Sequence, residues 1–246
     1  MLRALPYYLL LIPLTVYYSL RQLLVNPETA TARQKEFAAK TWARSLIRAA
    51  GVRIEADLKT TRGLEKFVVV SNHQSNFDIP VLFDVFREVP IRFVAKDTLF
   101  RIPIYGKALA AAGHISIDRS NRRSAMKSIE TAVASAQRGN VPLIFPEGTR
   151  QTDLSQLGEF QIGGIVLALK CGLPVVPVII CGSGEVMPKG SFLVDPRRTI
   201  RVKALPPIDP TAYSMKDREQ FKDDLRKMMD AAYRELRAQE REPVGA

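Results

Sequence analysis

The feature that most constrains the fold is a recurrence of short apolar runs, rich in Val and Ile, separated by stretches of helical periodicity. The runs fall at residues 67–70, 92–94, 114–117, 141–145, 175–180 and 199–202, and between two of them Met126, Ile129, Val133 and Ala136 recur at helical spacing. Such runs predict strands, and their alternation with helices predicts an α/β sheet covered by helices. Near the end of the chain Phe221, Leu225, Met228, Met229, Ala232 and Leu236 share one helical face, which predicts an amphipathic helix packed on the domain. The chain has 246 residues and shows no repeat, low-complexity tract or Gly/Ser linker. One catalytic domain over 56–246 with an N-terminal appendage over 1–55 is the expected organisation.

Two turns that follow apolar runs carry the chemistry. The first is Asn72-His73-Gln74-Ser75-Asn76-Phe77-Asp78. Histidine titrates near neutrality and suits the removal of a hydroxyl proton, while a carboxylate on the other ring nitrogen fixes its tautomer and orientation. His73 and Asp78 are the candidate base and its orienting group. On a helix, residues five apart diverge by about 140°, so the pair can cooperate only if the segment is a turn. Val68-Val69-Val70 reads as the preceding strand, and Asp78 before Ile79-Pro80 reads as a helix N-cap.

The second turn is Phe145-Pro146-Glu147-Gly148-Thr149-Arg150. Gly148 permits a tight turn, and the planar fork of Arg150 suits bidentate phosphate binding. Ser71 and Ser75 flank His73, so a Ser-His-Asp hydrolase is a rival reading. It lacks a nucleophile elbow, because no G-x-S-x-G occurs and Gly182-Ser183-Gly184 has the wrong spacing.

The two turns resemble the H-x-x-x-x-D and F-P-E-G-T-R motifs of the glycerolipid acyltransferases. Further blocks resemble the same family over roughly residues 65 to 205: Gly113 to Arg119, Ala95-Lys96 with Leu99, Pro103 and Gly106, and Val175-Val176-Pro177-Val178. Departures are Ser116 in place of a bulky apolar residue, Gln151 in place of serine and Gln161 in place of lysine. The resemblance implies a single acyltransferase domain with a central mixed sheet, preceded by a two-helix membrane anchor. It implies transfer of a fatty acyl group to the sn-2 hydroxyl of 1-acylglycerol 3-phosphate, giving phosphatidic acid, with acyl-CoA or acyl-carrier protein as co-substrate and no cofactor.

It also implies that Arg119 and Arg150 hold the acceptor's phosphate, with Gly148 and Thr149 beside them in the substrate-binding turn. Glu147 is implied near the glycerol hydroxyls or ordering the arginines; a structural ion pair is the alternative. Lys96 is read as a further point charge or a solvated surface lysine. Other lysolipids, such as a lyso-ornithine lipid or a lysophospholipid, are alternative acceptors, and a noncatalytic membrane scaffold is the reading from another class. His114 has no Cys or acidic cluster of metal spacing nearby and is read as neither ligand nor base.

The net charge of +11 is concentrated at the N-terminus, where residues 1–53 hold eight basic and two acidic side chains. Ala4 to Leu20 carries no charge and has tyrosines near both ends. As a helix this stretch spans about 25 Å, short of the roughly 30 Å of a hydrocarbon core. A basic amphipathic segment follows from Glu28 to Ala50, with Lys35, Lys40, Arg44 and Arg48. Together they resemble a two-helix anchor that dips into one leaflet and binds anionic lipid, which places the enzyme at the cytoplasmic face of the inner membrane. A cleaved signal peptide ending at Ala30-Thr31-Ala32 is the alternative. No nucleic-acid recognition motif accompanies the charge. Cys171 and Cys181 are too few for a disulfide framework and read as reduced core residues.

Overall fold

The structure is a computed structural model that describes residues 4–26, 28–118 and 121–241. In chain order its elements are α1 (Leu5–Leu23), α2 (Ala32–Ala50), β1 (Arg53–Asp57), β2 (Val68–Ser71), α3 (Asp78–Val85), β3 (Ile91–Lys96), α4 (Asp97–Phe100), α5 (Tyr105–Ala111), β4 (Ile115–Ile117), α6 (Arg122–Gln137), β5 (Val141–Ile144), α7 (Ile162–Cys171), β6 (Val175–Cys181), α8 (Ser183–Val186), β7 (Thr199–Ala204) and α9 (Arg218–Arg241). They fall into two compact units, Met1–Gly51 with Ile79–Leu143, and Val52–Asp78 with Ile144–Ala246.

In the first unit β3 pairs in parallel with β5 on one side (Ile91↔Val141, Phe93↔Leu143) and with β4 on the other (Val94↔Ile115, Lys96↔Ile117). The N-terminal helices belong to this unit. Thr31 and Gln34 form a capping box at the start of α2, and Gly51 ends that helix in the left-handed conformation at φ 67°. The indole N–H of Trp42 donates to Thr15 Oγ1 at 3.0 Å and stitches α2 to α1. Gly106 matches a glycine that the sequence comparison singled out, and the reason is steric: a Cβ there would lie 2.1 Å from the carbonyl oxygen of Phe100.

A buried ion pair ties α2 to the strand beside it. Arg92 Nη2 donates to Glu36 Oε1 at 2.5 Å, and Arg92 Nη1 donates to the Ile91 carbonyl at 2.8 Å. By contrast α1 turns much apolar surface outward, with Leu9 64% exposed and Ile12 71% exposed. No helix among the described residues is long and apolar enough to cross a membrane.

The second unit contains the mixed part of the sheet. β6 pairs in parallel with β2 and antiparallel with β7, while β7 pairs in parallel with β1. Every residue of β6 is buried, as a run of Val and Ile covered on both faces requires. Helix α9 packs on β6 and α7, burying Phe221, Leu225, Met229, Ala232, Tyr233 and Leu236. Met228, expected on that face, is 37% exposed, and the fully buried Tyr233 takes part instead. Strand β1 was not expected from sequence. Its residues are mostly exposed, so it lacks the apolar run that marks the other strands.

Removing Arg92 leaves buried Glu36 with Lys40, 3.6 Å from its other oxygen. Arg92→Met is expected to cost about 3 kcal/mol, the low end for a broken buried pair because Lys40 still faces the carboxylate, measured by chemical denaturation. Adding Glu36→Leu and Lys40→Met, which leaves no charge of the trio without a partner, should recover most of that loss.

Candidate active site

The candidate loop begins where the pairing of β2 with β6 ends, at Ser71↔Val178. Asn72 continues the pairing with its side chain, Nδ2 donating to the Ile180 carbonyl and Oδ1 accepting from the Ile180 N–H, both at 2.8 Å. The chain is then free to turn. Asp78 Oδ2 accepts three hydrogen bonds, from His73 Nδ1 at 2.7 Å, Gln74 N at 2.7 Å and Ser75 N at 2.8 Å. Two backbone donors and one ring donor therefore converge on a single oxygen, which is how a spacing of five brings the two side chains together. The carboxylate turns back into the loop, whereas an N-cap would face forward onto the first turn of α3.

The imidazole is fixed in tautomer and in plane. Donation from Nδ1 to Asp78 leaves the Nε2 lone pair available as the base, and Nε2 has no hydrogen-bond partner among the described residues. The ring stacks on Phe145, with centroids 4.0 Å apart and planes 12° apart, and the side chain is 17% exposed.

The second turn is joined to the first through its main chain and Glu147. Gln151 N donates to the His73 carbonyl at 2.9 Å. Glu147 is 4% exposed; its Oε1 accepts from His73 N at 2.8 Å and its Oε2 from Gly158 N at 3.1 Å. A Cβ on Gly158 would stand 2.5 Å from Glu147 Oε2, so that approach requires glycine. Gly148 has φ 71°, the left-handed value its turn needs. Burial pushes the Glu147 carboxyl up to about 7, opposed by the hydrogen bonds from His73 and Gly158 and reinforced by the charge of Asp78.

Neighbouring side chains brace the loop. Gln74 Nε2 donates to Tyr233 Oη at 2.5 Å, and Tyr233 in turn donates to the Leu154 carbonyl at 2.7 Å. Ser75 Oγ donates to the Met187 carbonyl at 2.7 Å and accepts from Phe77 N at 3.1 Å. Ser71 is fully buried and donates to the Asn72 carbonyl. Both serines of the hydrolase reading are thus engaged in holding main chain.

His73, Asp78, Glu147, Gly148, Thr149 and Arg150 lie in one unit. Thr149 is exposed and Arg150 half-buried, and the Arg150 guanidinium has no acidic partner among the described residues. Lys96 is exposed at the end of β3 in the other unit. Arg119 lies outside the described residues. His114 is buried against Phe93, from whose N–H its Nδ1 accepts at 3.3 Å, and burial followed by the charge of Arg92 holds it well below 6.5. Among the described residues no group of His, Cys, Asp and Glu is placed to hold a metal ion. Both cysteines are buried, and neither forms a disulfide. Asn72, Gln74, Phe145 and Tyr233 enter the site as supports that the motifs did not assign.

The Acyltransferase family model matches residues 51–181. The chain belongs to that family. It is 33% identical to a 1-acyl-sn-glycerol-3-phosphate acyltransferase of Pseudomonas aeruginosa, over 78% of this chain and 75% of the relative. It is 42% identical to one of Chlamydomonas reinhardtii over 57% of this chain and 34% identical to a chloroplastic one of Brassica napus over 70% of this chain, spanning 42% and 49% of those proteins. The chain thus covers less than half the length of these two relatives. The crystal structure of the 1-acyl-sn-glycerophosphate acyltransferase PlsC from Thermotoga maritima shares the fold, with a TM-score of 0.78, 23% identity and coverage of 96% of this chain and 95% of that one.

The raised value of Glu147 sets the sign of a pH dependence. Between the ordinary value of 4.5 and about 7 the folded protein holds a proton that the unfolded chain releases, so this group's contribution to stability falls as pH rises through that window and levels off above it. Thermal melts of wild type should show this decline, of the order of ~3 kcal/mol in total. Glu147→Gln, which cannot ionise, should lack it.

Proposed function

We propose that the protein transfers a fatty acyl group from acyl-carrier protein or coenzyme A to the sn-2 hydroxyl of 1-acylglycerol 3-phosphate, producing phosphatidic acid. The observation that carries this reading is the oriented His73 with Nε2 open, its carbonyl bonded to the N–H of Gln151 next to an Arg150 that has no acidic partner among the described residues, in a member of the Acyltransferase family. Nε2 takes the proton of the acceptor hydroxyl as its oxygen attacks the thioester carbonyl. Asp78 stabilises the imidazolium, which then returns the proton to the departing thiolate. The acceptor supplies the nucleophile, so neither engaged serine is needed. No cofactor enters the reaction.

Arg150 is assigned to the acceptor phosphate, with Gly148 and Thr149 beside it. Arg119 and Lys96 are proposed as further cations for the same group, on the family resemblance. Glu147 is read as a positioning residue, because its two carboxylate oxygens already receive N–H groups from the two sides of the site. At the bilayer, α1 and α2 are proposed as the anchor on the cytoplasmic face of the inner membrane. The apolar stripe of α1 enters one leaflet, and the cations of α2 meet anionic lipid.

In an assay of the purified chain with several lysolipids and both donor classes, wild type should acylate 1-acylglycerol 3-phosphate fastest. His73→Ala should lower turnover by about a hundredfold to ten-thousandfold with the fold retained. Preference for a phosphate-free lysolipid would move the assignment to another acceptor. Arg150→Lys keeps the charge but loses the planar fork, and is expected to raise the KM for phosphate-bearing acceptors; an effect confined to donor saturation would place the phosphate site elsewhere. Leu9, Ile12 and Val16, all changed to Ser, should weaken flotation with anionic vesicles.

A further inference from the structure

The segment between α8 and β7 is an ordered excursion with an apolar tip. Its ends are joined by Asp195 N donating to the Val186 carbonyl at 2.9 Å, and within it Ser191 N donates to the Pro188 carbonyl at 3.0 Å and Leu193 N to Ser191 Oγ at 2.9 Å. Met187 and Val194 point inward, at 2% and 5% exposure, while Phe192 and Leu193 stand out at 73% and 59%. These are the two most exposed large apolar side chains among the described residues of their unit. A single exposed hydrophobe needs no account, but two adjacent ones at the tip of a hydrogen-bonded loop form an apolar patch that the described residues leave in water.

The charges around the tip select its occupant. Lys189, Arg197 and Arg198 are exposed, against one acidic residue, Asp195, which lies 2.8 Å from Arg197 and 3.9 Å from Arg198. An aromatic and an aliphatic side chain rimmed by net positive charge match the boundary between acyl chains and anionic headgroups. The root of the loop is tied to the catalytic turn, since Met187 accepts from Ser75 Oγ at 2.7 Å. From Met187 to Phe192 the chain can reach at most about 18 Å.

We propose that Phe192 and Leu193 insert into the interface of an anionic bilayer, with Lys189, Arg197 and Arg198 on the headgroups. This is a lipid contact separate from α1, carried by the unit that holds His73. It rests on the reading of the protein as a lipid acyltransferase, and the catalytic loop is thereby held close to the surface from which its acceptor comes.

The test places an environment-sensitive fluorophore on Phe192→Cys in the full chain, where Cys171 and Cys181 are buried. Vesicles of phosphatidylglycerol and phosphatidylcholine should shift its emission to the blue, and brominated acyl chains should quench it. Phosphatidylcholine alone should do so much less. Unchanged emission on vesicles that bind the protein would overturn the proposal, and so would a shift produced by an acidic acyl-carrier protein and not by vesicles. In parallel, Phe192→Ser with Leu193→Ser should lower activity on vesicle-embedded acceptor by about tenfold or more and leave activity on detergent-dispersed acceptor unchanged. Equal loss in both media would mean a structural role and sink the lipid contact. Absence of wild-type activity in detergent would overturn the acyltransferase reading, while the fluorescence arm would still decide the loop.

Discussion

The site depends on one buried oxygen. Asp78 Oδ2 gathers the ring N–H of His73 and the N–H groups of Gln74 and Ser75, so the atom that selects the imidazole's tautomer also folds the loop that carries it. Ring orientation and loop conformation are therefore one energetic unit. Three side chains of the loop then find different anchors: Asn72 in β6, Gln74 on Tyr233 of α9, Ser75 on Met187 after α8. In the proposed mechanism an imidazole held this way has little to reorganise when a hydroxyl arrives, which is where positioning contributes to rate.

A second buried carboxylate, Glu147, sits close enough to feel the charge of the first. Two carboxylates taken from water in one neighbourhood resist joint ionisation. The structure gives them unequal support: Asp78 receives three donors on one oxygen, while Glu147 receives one backbone N–H on each of two oxygens. The form of Glu147 that accepts both bonds is the ionised one. Tying His73 to Gly158 through it works against the desolvation that raises its pKa. The arrangement gives up stability near neutral pH for a rigid link between the two motifs.

Much of the fold was legible because it is written in local patterns. The Val-rich β2 and β6 are apolar but for Ser71, and α9 repeats its buried residues at helical spacing. The edge strand β1 was not legible, because Arg53, Glu55 and Asp57 interrupt any apolar run and its partner residues in β7 lie 146 positions away. His73 and Asp78 were legible because their chemistry and spacing together demand a turn. The supports were not: Tyr233 lies 159 positions from Gln74, and nothing local marks it as a partner of the loop. Asp78 was read as a helix cap for the same reason, since only the folded loop shows which donors face the carboxylate.

The proposed acceptor is a membrane lipid, so on that reading the imidazole must reach a hydroxyl that stays near the headgroups. Rigid polar bracing solves half of this problem, because it holds Nε2 of His73 in place relative to its own unit. The other half is the position of that unit relative to the bilayer, which hydrogen bonds inside the protein cannot set. Exposed apolar surface can set it, since transfer to lipid is favourable without a specific partner. Each compact unit presents such surface beside basic side chains: the outward stripe of α1 in one, and Phe192 with Leu193 in the other.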